Sequence, residues 1–157
     1  MNTYEDKKYY TTKENLKQTL DTYGVAIIPS VINNQECQQM TNGIWNYLEH
    51  ITQSWDKPIS RKHIPSWREF YKLYPKHSML LQHNNVGHMQ AIWNLRQNPK
   101  IVDIFAHVWN TSPEELLVSF DGCSFNPPPE ETNRGWNRNH TWYHCDQSPI
   151  RTGFECI

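Results

Sequence analysis

Long blocks of one charge are missing from this sequence: 15 Lys and Arg are interspersed with 16 Asp and Glu, for a formal net charge of −1. Without a basic stripe there is no electrostatic footprint for nucleic acid or an anionic membrane, and neither partner is expected. Missing too is any apolar run approaching the roughly eighteen residues of a transmembrane helix. The N-terminal stretch MNTYEDKKYY holds no apolar signal-peptide core. The 4 cysteines, Cys37, Cys123, Cys145 and Cys156, form no C-x-x-C pair. Together these absences predict a soluble protein in a reducing, cytoplasmic compartment. Internal repeats and low-complexity segments are also absent.

What is abundant is aromatic surface, with 7 Trp, 8 Tyr and 5 Phe. That content argues for a packed fold despite a mean hydropathy of −0.81. A chain of 157 residues has the size of one domain. Residues 1–12 read as a polar arm and 13–157 as a single domain, helical over 13–115 and stranded from 116.

The helical half carries its own start and stop signals. Thr11 and Glu14 make a T-x-x-E box ahead of KENLKQTLDTY, and Gly24 stops that helix. VAIIPSVI is β-branched and apolar, with Pro29 permitting only a short or edge strand. Asn33 and Glu36 open a second helix, in which Cys37, Met40, Ile44, Leu48 and Ile51 recur as one buried stripe. Residues 55–85 read as short helices between loops. Met89, Ile92 and Leu95 mark a further helix. Asn98 caps another, with Pro99 at its first position and Ile101, Phe105 and Val108 facing inward. Ser112, Pro113 and Glu115 supply a last helical start. The pattern then changes: LLVSFDGCSF, HTWYHC and GFECI read as strands, separated by a Pro-rich loop from Asn126 to Gly135.

Chemistry concentrates in His144-Cys145-Asp146. On an extended strand, residues i and i+2 project from one face, so His144 and Asp146 can chelate together. An imidazole and a carboxylate, joined by a distant second His, form the facial triad of non-haem Fe(II) oxygenases. Alone the tripeptide is a weak signal, since about 0.3 such matches arise by chance at ordinary usage. The plain alternative is two hydrogen-bonded polar residues at a strand end. Trp142 and Gln147 flank the pair and are candidate contacts to a co-substrate.

Three longer segments add context. YGVAIIPSVINNQEC resembles the entry strand and helix of the phytanoyl-CoA dioxygenase-like family. IWNLRQNPKIVDIFAHVWNTSPEELLVSFDGCSF resembles the helices and SFDG strand of one branch of it, and WYHCDQSP resembles its His-x-Asp-Gln segment. The resemblance implies an α+β fold, with N-terminal helices packed on the first strands of a double-stranded β-helix of the jelly-roll or cupin-like type. It implies an oxidoreductase that uses Fe(II), with 2-oxoglutarate as co-substrate, in which His144 and Asp146 are the first two iron ligands.

The family pattern continues to a distal His, the third ligand, and to an Arg that pairs with 2-oxoglutarate; both would fall beyond Ile157. His140 is no substitute, lying roughly 13 Å from His144 along an extended segment. The expectation is therefore a sheet truncated before it closes, a metal pair without a full catalytic set, and no oxygenase activity from these residues alone. Completion by a C-terminal half would allow a small-molecule substrate. The alternative is a non-catalytic remnant acting as a binding or interaction module, with self-association through an open β-edge.

Other residues carry alternatives. Cys123, His140, His144 and Cys156 are a candidate zinc set without paired spacing, and Cys145 reads as a small buried residue. Asp103 and His107 read as a solvated helix pair; His63, His77, His83 and His88 read as exposed loop residues. Arg96 reads as a structural hydrogen-bond donor. The Pro-rich loop reads either as a lid over a substrate mouth or as a solvated connector.

Overall fold

A computed structural model describes residues 5–73, 80–124 and 127–132 of the chain. The first α-helix, α1 (Leu16–Tyr23), ends where the sequence places its stop: Gly24 takes the left-handed conformation at φ 70° and donates its N–H to Leu20 O at 2.7 Å. Its start differs. Thr11 does not cap α1, because its N–H donates to Ile27 O at 2.9 Å and its hydroxyl accepts from Thr19 Oγ1 at 2.9 Å. Thr11 is thus committed to a parallel bridge between Tyr10 and Ile27.

Helix α2 (Asn34–Thr52) follows its sequence signal closely. Glu36 N–H donates to Asn33 Oδ1 at 2.8 Å, and Asn33 N–H donates to Glu36 Oε2 at 2.6 Å, closing a reciprocal capping box. Leu48 is buried, with Met40, Ile44 and Ile51 packed around it. Cys37, expected in the same stripe, is exposed; it lies in the first turn of α2, before the helix meets the core.

A run of 3₁₀ turns over Ile64–Leu73 packs Phe70 and Leu73 into the core. Helix α3 (Gln90–Arg96) lies against α2 and buries Ala91 and Ile92. Helix α4 (Pro99–Trp109) is capped by Asn98, whose Oδ1 accepts from Lys100 N–H at 3.0 Å. Asn98 Nδ2 also donates to Glu36 Oε1 at 2.9 Å, tying the N-termini of α2 and α4 together. On α4 the inward residue is Ala106, and Phe105, expected inside, is 55 % exposed. A short helix, α5 (Pro129–Thr132), packs on the 3₁₀ run.

The strand expectations fail within the described residues. Of these, 57% are helical and 4% are strand, and the only ladder pairs β1 (Leu80–Leu81) antiparallel with β2 (Cys123–Ser124). A double-stranded β-helix is not what they build, and the α+β jelly-roll expectation is corrected to a mainly helical architecture. Two physical reasons stand out. In VAIIPSVI only Ile27 finds a backbone partner, because Pro29 offers no N–H and Ser30 turns the chain with φ 58°. In LLVSFDGCSF the alternating residues have no facing strand among the described residues, so Leu117, Val118 and Phe120 are exposed there and only Cys123 and Ser124 pair. HTWYHC and GFECI lie outside the described residues. Among the described residues no helix is long and apolar enough to cross a membrane.

Candidate functional site

The metal pair His144 and Asp146, and their neighbours Trp142 and Gln147, lie outside the described residues. So do His77, His140, Cys145 and Cys156, and of the candidate zinc set only Cys123 is described. Burial pushes the Cys123 thiol up from its usual range, which disfavours the thiolate that zinc requires. Among the described residues no three His, Cys, Asp or Glu side chains come together in a group that could hold a metal.

What the described residues do form is an aromatic groove, and its construction begins at the end of α2. Buried Thr52 donates its hydroxyl to Leu48 O at 2.8 Å and accepts from Ile59 N–H at 3.0 Å, which turns the chain back along the helix. Glu49 holds the next stretch. One carboxylate oxygen accepts from Arg61 N–H at 2.9 Å, and the other from Arg61 Nη2 at 3.0 Å, which draws Glu49 below the usual carboxylate range. Ser60 O then accepts from Trp67 Nε1 at 3.0 Å. These bonds set the Trp67 ring beside Trp45, with centroids 5.3 Å apart and planes tilted by 36°. Phe70 meets Trp45 edge to face at 6.1 Å.

The resulting groove has a volume of about 300 Å³. Helix α2 contributes Thr41, Ile44, Trp45 and Leu48 to its lining, the 3₁₀ run contributes Trp67 and Phe70, and Pro127 and Pro128 complete it. Among the described residues no charged side chain lines it. Its polar atoms are largely engaged: Thr41 Oγ1 donates to Cys37 O at 3.0 Å, Trp67 Nε1 is held by Ser60, and Pro128 O accepts from Glu131 and Thr132 N–H at 3.1 and 3.2 Å. The first part of the Pro-rich loop is thus a wall of the groove, anchored by α5.

A second cleft, of about 500 Å³, lies between α1 and α4 and is polar. Asp103, read from the sequence as a partner for His107, pairs instead with Lys13 of the α1 approach. Glu115 is lowered by hydrogen bonds from Thr111 and the Ser112 backbone. With both signs of charge facing one another across the cleft, it favours no one ligand class.

Arg96 has the structural role its position predicts. Its Nη1 donates to Gly87 O at 2.7 Å and its Nη2 to Asp121 O at 3.3 Å, while its guanidinium stacks within 5.8 Å of the Trp93 and Phe120 rings. His63, His83 and His88 are exposed, and His88 rests on Phe120 at 4.9 Å. Tyr47 donates its hydroxyl to Asn84 O at 2.8 Å; burial, with Cys123 a lesser cause, pushes it up to about 12, so it serves as a fixed donor. The groove itself was missed in the sequence. Thr41, Ile44, Trp45 and Leu48 are spaced three and four apart, a readable helical stripe, but nothing local announces that Trp67 and Phe70 face them.

No family model matches the sequence, and no solved structure matches it. The chain is 26% identical over 155 residues to Ava biosynthesis cluster protein O of Aspergillus versicolor, an alignment that takes in 94% of this chain and 46% of that protein. The chain therefore spans less than half the length of this relative.

Proposed function

We propose that this chain is part of an Fe(II)- and 2-oxoglutarate-dependent oxygenase resembling the phytanoyl-CoA dioxygenase-like family, acting on a small molecule in a cytoplasmic setting. The observation that carries the reading is a continuity: Pro127 and Pro128, the wall of the aromatic groove, open the segment that runs on to His144-Cys145-Asp146. A substrate surface and a candidate metal pair are thereby joined by one short stretch of chain. His144 and Asp146 would hold the metal, a borderline nitrogen and a hard oxygen suited to Fe(II), with Trp142 and Gln147 beside the co-substrate. When bound, the iron and 2-oxoglutarate would let dioxygen act as the oxidant, one oxygen atom going to succinate as 2-oxoglutarate loses carbon dioxide and the other to the hydroxyl formed on an unactivated carbon. The chain's own contribution is to bind and orient the substrate and to exclude water around it. The remaining ligand and the co-substrate Arg would come from sequence outside these residues, and the greater length of the Aspergillus versicolor relative supports such a larger unit. That relative's name, a biosynthesis cluster protein, supports a small-molecule substrate.

The test is succinate formation from 2-oxoglutarate with Fe(II), using protein from the full open reading frame. His144→Ala and Asp146→Ala should each abolish it and weaken Fe(II) binding. Turnover undiminished in both variants, or no succinate from the unaltered protein, would sink the reading.

A second reading is an interaction module, favoured by the exposed Leu117, Val118 and Phe120 beside the short β1–β2 ladder. It expects concentration-dependent self-association through that edge, abolished by Val118→Lys; a monomer at all concentrations in sedimentation counts against it.

A further inference from the structure

We infer that the aromatic groove is a binding site for an uncharged ring system, and that such a ligand is the substrate class of the oxygenase proposed above; this second part rests on that proposal. Three observations converge. The volume of about 300 Å³ stands at the lower end for small-molecule sites, which suits a compact ring ligand. The lining is rich in flat surfaces, Trp45, Trp67 and Phe70 together with Pro127 and Pro128, on which a planar or alicyclic ring gains most contact. Thr41 Oγ1, Trp67 Nε1 and Pro128 O are already bonded within the protein, and among the described residues no charged side chain lines the groove, so a carboxylate or ammonium placed there would be desolvated without a counter-charge.

The groove is also held in shape before any ligand arrives. Trp67 is fixed by its indole bond to Ser60 O, and the proline wall is fixed by the α5 bonds to Pro128 O. Little ordering of side chains is left for the ligand to impose, which favours binding by so small a contact area.

The test uses prodan, a neutral naphthalene ketone whose emission shifts to the blue in apolar surroundings, added to the whole chain without iron or 2-oxoglutarate. Saturable binding is expected, with methyl naphthoate competing and naphthoate competing at least about tenfold more weakly because its charge finds no partner. Thr41→Trp, at the exposed rim of α2, should fill the groove and weaken prodan by about tenfold or more, with an unchanged circular dichroism spectrum. Should that variant fail to fold, Pro127→Asp, also in the lining, must give the same loss. Absence of saturable binding, equal competition by naphthoate and its methyl ester, or indifference to a folded groove variant would overturn the inference. Because the assay needs neither metal nor co-substrate, prodan binding without succinate formation would leave the groove standing and remove only the oxygenase reading. Succinate formation without prodan binding would do the reverse.

Discussion

Gly43 of α2 and Ala91 of α3 approach so closely that a Cβ built on Gly43 would overlap the Ala91 Cβ. The absence of a side chain at Gly43 is what lets the two helices meet and bury Ala91 and Ile92 beside Leu48. Gly43→Ala therefore sets two effects against each other. Alanine gains about 1 kcal/mol of helix propensity, while overpacking a close helix contact costs about 1–3 kcal/mol. Since the atom met is a Cβ fixed to the α3 backbone, the cost should win. The variant is expected to have a lower denaturation midpoint, and Gly43→Ala combined with Ala91→Gly should recover most of the loss.

Glu36 joins α2 to α4 by charge. Lys100 donates to it at 2.8 Å, Asn33 and Asn98 add further donors, and together they lower it from 4.5 to about 2. A carboxylate depressed in the folded state stabilises the fold in full above its unfolded value near 4.5, and that stabilisation is lost as pH falls toward about 2. Glu36→Gln should flatten the acid limb of stability over this window, read as the melting temperature against pH. An unchanged acid limb would mean that Glu36 is not held by these donors in solution.

Thr52 tests how the groove is built. It is fully buried, and its hydroxyl accepts from Ile59 N–H at 3.0 Å. Thr52→Val preserves the shape and leaves that N–H unpaired, at an expected cost of about 1–3 kcal/mol. Thr52→Ser keeps the acceptor and should cost less. If Val is no worse than Ser in urea denaturation, the hydroxyl does not anchor the return of the chain toward Ser60.

Arg96 tests the tether on residues 116–122. A single ammonium cannot reproduce the guanidinium fork that spans Gly87 O and Asp121 O. Arg96→Lys is expected to cost about 1 kcal/mol and to speed amide hydrogen exchange around Phe120 more than in α2. Equal acceleration in both regions would mean that Arg96 supports the core generally.

Much of the helical part was legible from neighbouring residues. The Asn33–Glu36 box, the Asn98–Pro99 start and the Gly24 stop each use groups within a few positions of one another, and their hydrogen bonds close inside the same turn whatever the rest of the chain does. The Thr11–Glu14 box has the same spelling and fails, because Ile27 offers Thr11 N–H another partner that only the folded chain brings near. Of the candidate site, the His144 and Asp146 pair is a proposal from sequence spacing and resemblance, whereas the groove came only from the structure.

Residues close to one another in the chain set where α2 and α4 begin and where α1 ends, since a helix satisfies its backbone locally and a cap completes it within one turn. Tertiary structure decided what became of the strand-like stretches, because a strand must borrow its partners. VAIIPSVI found one bridge and LLVSFDGCSF one short ladder. It also decided that Phe105 faces outward while Ala106 packs, and that Trp45 meets Trp67. Those outcomes depend on which surfaces from separate elements come into contact, and hydrophobic burial, which has no direction of its own, is satisfied by whichever faces the connecting hydrogen bonds bring together.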